Sequence, residues 1–364
     1  GIAIADPPQV ATLPTDMHLG VRLRKVPLCE ERNLQPMCRH SLFAATLAIA
    51  TLGGCAGTPT PPPVAKPVKL ALALGGGAAR GFAHVGVIKT LESQGIFPDI
   101  IAGTSAGAVV GALYAAGNNG FELQKLAHRL DETKISDWSL PDRGVLKGES
   151  LQQFVNDAVG QRPLESLKKP FGAVATDLHS GESIVFRTGN TGIAVRASAT
   201  VPGVFQPVKV GGREYVDGGL SSLIPVRAAR QMGGDVIIAV DISARPGNQP
   251  VRSTLDILMQ TFTIMGQSLA RYELKEADVV IRPQVGSVGS TDFQARHDAI
   301  LEGEKAAQAP LPQIREALRK AGRSDFHNKL EQPRLSLWLQ RLAKCRRQQV
   351  TNLGHRRLFS AHTR

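Results

Sequence analysis

Twice between Val68 and Gly117 the chain runs through the same order: a short apolar stretch, a glycine-rich turn, and a stretch with helical spacing. Val68 to Leu74 (VKLALAL) is an unbroken apolar strand pattern, and Gly75 to Gly81 (GGGAARG) follows it. Phe82 to Gln94 then sets Val85, Ile88 and Leu91 at helical spacing, with Gly95 as a natural terminator. The second pass has a strand at Asp99 to Ala102, a turn at Gly103 to Gly107, and a small-residue helix to Ala116 closed by Gly117. This alternation predicts an α/β fold with a mainly parallel sheet covered by helices. Ala173 to Thr176 with Ser183 to Phe186 reads as a hairpin, and Val208 to Val210 with Glu214 to Val216 flank the turn Gly211-Gly212-Arg213. Pro225 to Met232 reads as a helix, Val236 to Val240 as a buried strand, and helices over about 252–274 and 293–319 close a domain spanning 68–322.

A chain of 364 residues, 42% hydrophobic and 20% charged, can bury a sizeable core, and these figures exclude collagen, coiled coil and wholesale disorder. The net charge of +12 suggests nucleic acid only until its distribution is read. Residues 329–364 carry nine Lys/Arg against one acid, whereas 41–328 carry 29 against 26. No nucleic-acid partner is therefore expected of the folded part. The tail, 323–364, contains Arg341, Lys344, Arg346, Arg347, Arg356 and Arg357, and reads either as a solvated tail or as a contact for nucleic acid or anionic lipid. Cys29, Cys38, Cys55 and Cys345 lie outside the domain, without metal spacing or a disulfide framework.

Ser41 to Gly54 is an uncharged run of 14 residues behind Arg39, and Cys55 follows at once. That is too short to span hydrocarbon, which takes about 20 residues, and fits a secretory signal. Leu52-Gly53-Gly54-Cys55 resembles the lipobox of bacterial lipoproteins, which implies acylation of Cys55 and a bacterial cell-envelope location, lipid-anchored to a membrane surface; an unused signal would leave the protein cytoplasmic. The expected organisation is an over-called extension at 1–36, a start at Met37, a signal peptide at 37–54 and a proline-rich tether at 55–67.

Three places carry chemistry. Gly103-Thr104-Ser105-Ala106-Gly107 is a G-x-S-x-G pentad between a strand and a helix, the context in which a tight turn lifts a nucleophilic serine into an exposed position. Gly75-Gly76-Gly77-Ala78-Ala79-Arg80-Gly81 leaves backbone N–H groups uncovered for an anionic oxygen. It fails the dinucleotide pattern, since Arg80 or Ala78 stands where a glycine is needed, and it lacks the Lys-Ser/Thr pair of a P-loop. An oxyanion hole is therefore the preferred reading. Asp217-Gly218-Gly219, taken alone, is a common turn; a serine nucleophile, however, needs a base.

In this order the three elements resemble the patatin-like phospholipase family over roughly Lys69 to Leu318. The segments Arg80 to Val87 (RGFAHVGV), Ala197 to Phe205 (ASATVPGVF) and Tyr215 to Gly219 (YVDGG) are similar to its bacterial branch. The resemblance implies a three-layer α/β/α sandwich and hydrolysis of lipid acyl esters by a Ser-Asp dyad, without cofactor or metal. Carried over, Ser105 is the nucleophile, Asp217 the base, and the backbone of Gly76, Gly77 and Ala78 the oxyanion hole, with Gly75, Arg80, Gly81, Gly103, Gly107, Gly218 and Gly219 supporting the motifs. Ala78 replaces the third glycine of the family pattern, which is tolerable at negative φ and unfavourable at positive φ. Ser222 stands where many relatives have asparagine. Burial is expected to raise the Asp217 pKa.

Two other readings use the same residues. Ser105, Asp217 and His297 stand in the chain order of a Ser-His-Asp α/β-hydrolase esterase. A catalytically silent, envelope-anchored lipid-binding module could also keep the fold. His84 is read as a structural hydrogen-bonding residue and His179 as solvated, while Arg80 either holds a phosphate head group or pairs with an acid. The segment 131–150, with Trp138 and Pro141, is the candidate for substrate selection.

Overall fold

The LALAL run explains the centre of the molecule. In the computed structural model, which describes residues 66–130, 146–246, 252–289 and 291–323, it forms β1 (Leu70–Leu74). Period-two alternation sends Leu70, Leu72 and Leu74 to one face of the sheet and Ala71 and Ala73 to the other, and all five are buried. On both edges β1 pairs in parallel, with β2 (Ile100–Thr104) through Leu72↔Ile101 and with β7 (Val236–Val240) through Leu72↔Ile238. The remaining strands are β3 (Phe171–Asp177), β4 (Ser183–Phe186), β5 (Val208–Val210), β6 (Arg213–Asp217) and β8 (Val279–Ile281). Pairing follows the path β5-β6-β3-β2-β1-β7-β8, in which β2 and β6 follow one another along one edge of β3 and β4 takes its other edge. Parallel pairing holds from β3 to β8, and the hairpins β3–β4 and β5–β6 and the β3–β6 pair are antiparallel.

The leucine face is covered by α1 (Phe82–Ser93), α2 (Ala106–Ala115), α3 (Gly120–Arg129), α4 (Glu149–Ala158), α5 (Thr191–Ser198), α8 (Arg296–Gln308) and α9 (Leu311–Lys320). The alanine face admits α6 (Val226–Gln231) and the end of α7 (Thr254–Glu273), where Val226, Ala229 and Ala270 pack on Ala71, Ala73 and Ala102. Helices on both faces of a mainly parallel sheet make the three-layer α/β fold that the pattern predicts.

Local chemistry sets several boundaries. Gly211 and Gly212 take φ of 57° and 80°, the positive values that a two-residue hairpin turn requires, so Val210 pairs directly with Arg213. The expected single helix over 293–319 is two helices, because Pro310 has no N–H to donate into the preceding turn and instead starts α9. Three helices that hydrophobic spacing did not predict, α3, α4 and α5, are present, as is the three-residue β8. Asn119 and Glu122 form a capping box at the start of α3, and Asn190 caps α5 by accepting from the N–H of Ile193.

All described residues lie in the second of the chain's two units, Ala65–Arg364. The expected extension, signal peptide, Cys55, most of the tether, Trp138, Pro141 and nearly all of the basic tail lie outside the described residues. Among the described residues no helix is long and apolar enough to cross a membrane.

Candidate active site

Serine at a helix N-cap ordinarily turns its hydroxyl onto the amides of the first turn. Ser105 occupies that position before α2 and makes no such bond, because its backbone is held at φ 53°, ψ −121°. Close packing enforces the turn: a Cβ on Gly107 would stand 2.1 Å from the Leu74 carbonyl oxygen, and one on Gly103 would stand 2.4 Å from that of Gly107. The Ser105 N–H donates to Ser198 Oγ at 2.9 Å, and Ser198 in turn donates to the Val174 carbonyl. The hydroxyl is thus freed for another partner, at the positive end of α2.

Strand register supplies that partner. Thr104, the last residue of β2, pairs with Val174, and Asp217, the last residue of β6, pairs with Ala175. Since β4 pairs with Ala173 to Thr176 and takes the other edge of β3, β2 and β6 end at consecutive positions on the same edge. Ser105 and Asp217 are therefore neighbours, close enough for the Ser105 side chain to act on the Asp217 carboxyl. Asp217 Oδ1 also accepts from the Gly219 N–H at 2.7 Å, while the Asp217 N–H donates to the Thr200 carbonyl at 2.8 Å. Both side chains are buried, each only 7% exposed. Burial raises the Asp217 pKa to about 6, against the opposing effects of the Ser105 side chain and the Gly219 N–H.

The glycine turn lies directly beside Ser105: a Cβ on Gly76 would be 3.3 Å from that of Ser105. Its donors are not equivalent. The N–H of Gly75 donates to Val240 and that of Gly76 to Leu223, at 3.1 and 3.0 Å, so the expected oxyanion donor Gly76 is already committed. Among the described residues no protein acceptor faces the N–H of Gly77 or Ala78. Ala78 sits at φ 51°, the unfavourable case for a residue with a Cβ. Arg80 makes no ion pair among the described residues: its Nε donates to the Ile242 carbonyl at 3.2 Å and its Nη1 to that of Val288 at 3.3 Å, which is how a buried guanidinium is satisfied here. Gly81 faces the start of α2, with its missing Cβ 2.7 Å from Ala106 Cβ.

His84 is fully buried, with Nε2 2.8 Å from the Gly75 carbonyl oxygen. Desolvation lowers its pKa to about 4, so the ring is neutral at pH 7 and its Nε2–H donates to that carbonyl. The structural role expected of it agrees with this geometry. His179 is largely exposed, 3.3 Å from Glu214. His297 is exposed at the start of α8, and no hydrogen bond joins it to Ser105 or Asp217 among the described residues, so the triad reading has no geometric support. Gly218 packs against Val174 and Thr104, and Ser222 donates its hydroxyl to Glu273. Sequence reasoning did not assign roles to Ser198, which holds the nucleophile's backbone, or to Glu273. Ser198 stands inside a segment carrying the resemblance, whereas Glu273 had no local signal.

Residues 72–230 match the patatin-like phospholipase family, a span containing Ser105 and Asp217. An uncharacterized NTE family protein of Mycobacterium tuberculosis is 40% identical over 181 residues, covering 48% of this chain and 49% of the relative. Patatin-like phospholipase domain-containing protein 6 of Mus musculus is 32% identical over 184 residues, 48% of this chain and 14% of the relative. The chain thus spans about half the length of the curated NTE family relatives it matches. Among solved structures, VipD from Legionella pneumophila aligns over 70% of this chain and 67% of its own, with a TM-score of 0.45 and 15% identity. The sequence matches support the patatin-like phospholipase family for residues 72–230.

Proposed function

We propose that the protein is a serine lipid acyl hydrolase, of the phospholipase A, lysophospholipase or esterase type, that cleaves acyl esters of membrane lipids. The observation carrying this reading is the juxtaposition of Ser105, lifted by a strained turn at a helix N-terminus, with the buried carboxyl of Asp217 at the neighbouring register position on β3. Asp217 takes the hydroxyl proton as Ser105 Oγ attacks the ester carbonyl; such general-base help is worth about 10²–10⁴-fold. The N–H groups of Gly77 and Ala78 receive the developing oxyanion, where loss of one donor typically costs about 10²–10³ in rate. Collapse of the intermediate expels the alcohol, which leaves with the proton from Asp217. Asp217 then takes a proton from water as the water attacks the acyl-serine, releasing the carboxylic acid and restoring Ser105. A carboxylate with a pKa of about 6 is a stronger base than an ordinary aspartate and is still ionised at pH 7. The lipid character of the ester rests on the family matches.

The test is labelling of the full chain with a fluorophosphonate, with the adduct mapped by mass spectrometry, beside release of fatty acid from phospholipid vesicles. An adduct on Ser105 is expected, absent in Ser105→Ala, weakened in Asp217→Asn, and forming faster as pH rises through about 6. A well-folded protein that forms no adduct overturns the reading and favours a silent lipid-binding module.

A further inference from the structure

Residues 222–224 touch every part of the site. The Ser222 N–H donates to the Gly218 carbonyl at 2.8 Å, one residue after Asp217, and the Ser222 carbonyl accepts from Thr104 Oγ1 at 2.9 Å, one residue before Ser105. The Leu223 carbonyl accepts the N–H of Gly76 at 3.0 Å. Positions for a Cβ on Gly76 and on Gly219 lie 3.0 and 3.2 Å from Leu223 Cδ1. This short loop is itself held by one side chain from outside it. Glu273, in the last turn of α7, accepts from the Ser222 hydroxyl with Oε1 and from the Ile224 N–H, at 2.8 Å, with Oε2.

Glu273 is 6% exposed and makes no ion pair among the described residues; its neighbour Arg227 is bonded to Glu276. Desolvation raises its pKa above the usual carboxylate range. Arg227 acts on this carboxylate only from beyond ion-pair distance, so burying it is costly, and an apolar side chain of similar size would serve packing better. What the carboxylate supplies, and an apolar group cannot, is two acceptors aimed at either side of Leu223.

We propose that Glu273 is a positioning residue: by gripping Ser222 and Ile224 it fixes the Leu223 carbonyl, and through that carbonyl it sets the Gly76–Ala78 turn against Ser105. The inference rests on the hydrolase reading, since the turn matters to catalysis only if it receives an oxyanion. It adds to that reading a residue 51 positions from Ser222 and far from either motif.

The test compares the wild-type full chain with Glu273→Ala, Glu273→Gln and Ser222→Ala, by backbone amide hydrogen exchange and by kinetics on a soluble ester. In Glu273→Ala, exchange at Gly76 should quicken by about tenfold or more while α9 stays protected. Its kcat should fall by about 10- to 100-fold with KM nearly unchanged, the scale of a misplaced oxyanion donor. Glu273→Gln should restore both, because its Oε1 can accept from Ile224 and its Nε2 can donate to Ser222 Oγ. Ser222→Ala removes one of the two bonds without emptying the site, should shift both readouts less and in the same direction, and decides the matter if Glu273→Ala does not fold. Wild-type protection at Gly76 in Glu273→Ala, or exchange rising equally at Gly76 and in α9, overturns the proposal. Absence of turnover by the wild type is failure of the hydrolase reading instead, and the exchange measurements still decide what Glu273 positions.

Discussion

Replacing Asp217 by asparagine should make the protein more stable at neutral pH while stopping hydrolysis. The magnitude follows from burial. Asp217 titrates near 3.8 in the unfolded chain and near 6 in the folded one, where desolvation outweighs the opposing effects of Ser105 and the Gly219 N–H. Below pH 3.8 both states are protonated and the carboxyl costs nothing on this account. As pH rises the unfolded chain ionises first, so the folded state holds the extra proton and stability falls, until the loss is complete above about 6. Two units at 1.36 kcal/mol each give a penalty of about 3 kcal/mol. Asparagine carries no charge, keeps an acceptor for the Gly219 N–H and offers an N–H to Ser105 Oγ, so it escapes most of that penalty. Urea unfolding followed by circular dichroism at pH 4 and pH 8 reads the difference. Asp217→Asn should exceed wild type by about 2–3 kcal/mol at pH 8 and nearly match it at pH 4. A difference that is the same at both pH values would refute the reasoning, because a desolvated carboxylate must act through its ionisation.

Two further substitutions test the site. Ala78 holds a φ of 51°, at a cost of about 1–2 kcal/mol that glycine does not bear, partly offset by about 0.4–1 kcal/mol of extra unfolded-chain entropy. Ala78→Gly should therefore gain about 0.5–1 kcal/mol in urea unfolding and keep its turnover, whereas a loss of stability would mean that the Cβ makes a favourable contact. His297→Ala should leave esterase turnover within about twofold of wild type; a fall of several orders of magnitude, the usual result of losing a triad member, would restore the triad reading.

Much of this architecture is legible in short stretches of the chain. The alternation of VKLALAL, the turns GGGAARG and GTSAG, and the spacing of Val85, Ile88 and Leu91 are local features, so the strand–turn–helix order and the position of Ser105 follow from the residues alone. The missed helices show what spacing overlooks: α3 announces itself through Asn119 and Glu122 at its start rather than through an apolar stripe. Asp217 was different in kind, since D-G-G is a common turn and only the family resemblance singled it out.

Tertiary structure decided how the pieces are spent. Ser105 and Asp217 are neighbours because two strands from distant parts of the chain end at adjacent positions on β3. Gly76 loses its place among the oxyanion donors to a carbonyl 147 residues away, and Arg80 spends its guanidinium on the carbonyls of Ile242 and Val288. Glu273 reaches the site from the end of a helix that bears no motif. Local sequence governs which stretches become strand, turn or helix and which side chains must be buried. Which donor finds which acceptor is settled only when the closed fold removes water from both and leaves each a single partner within reach.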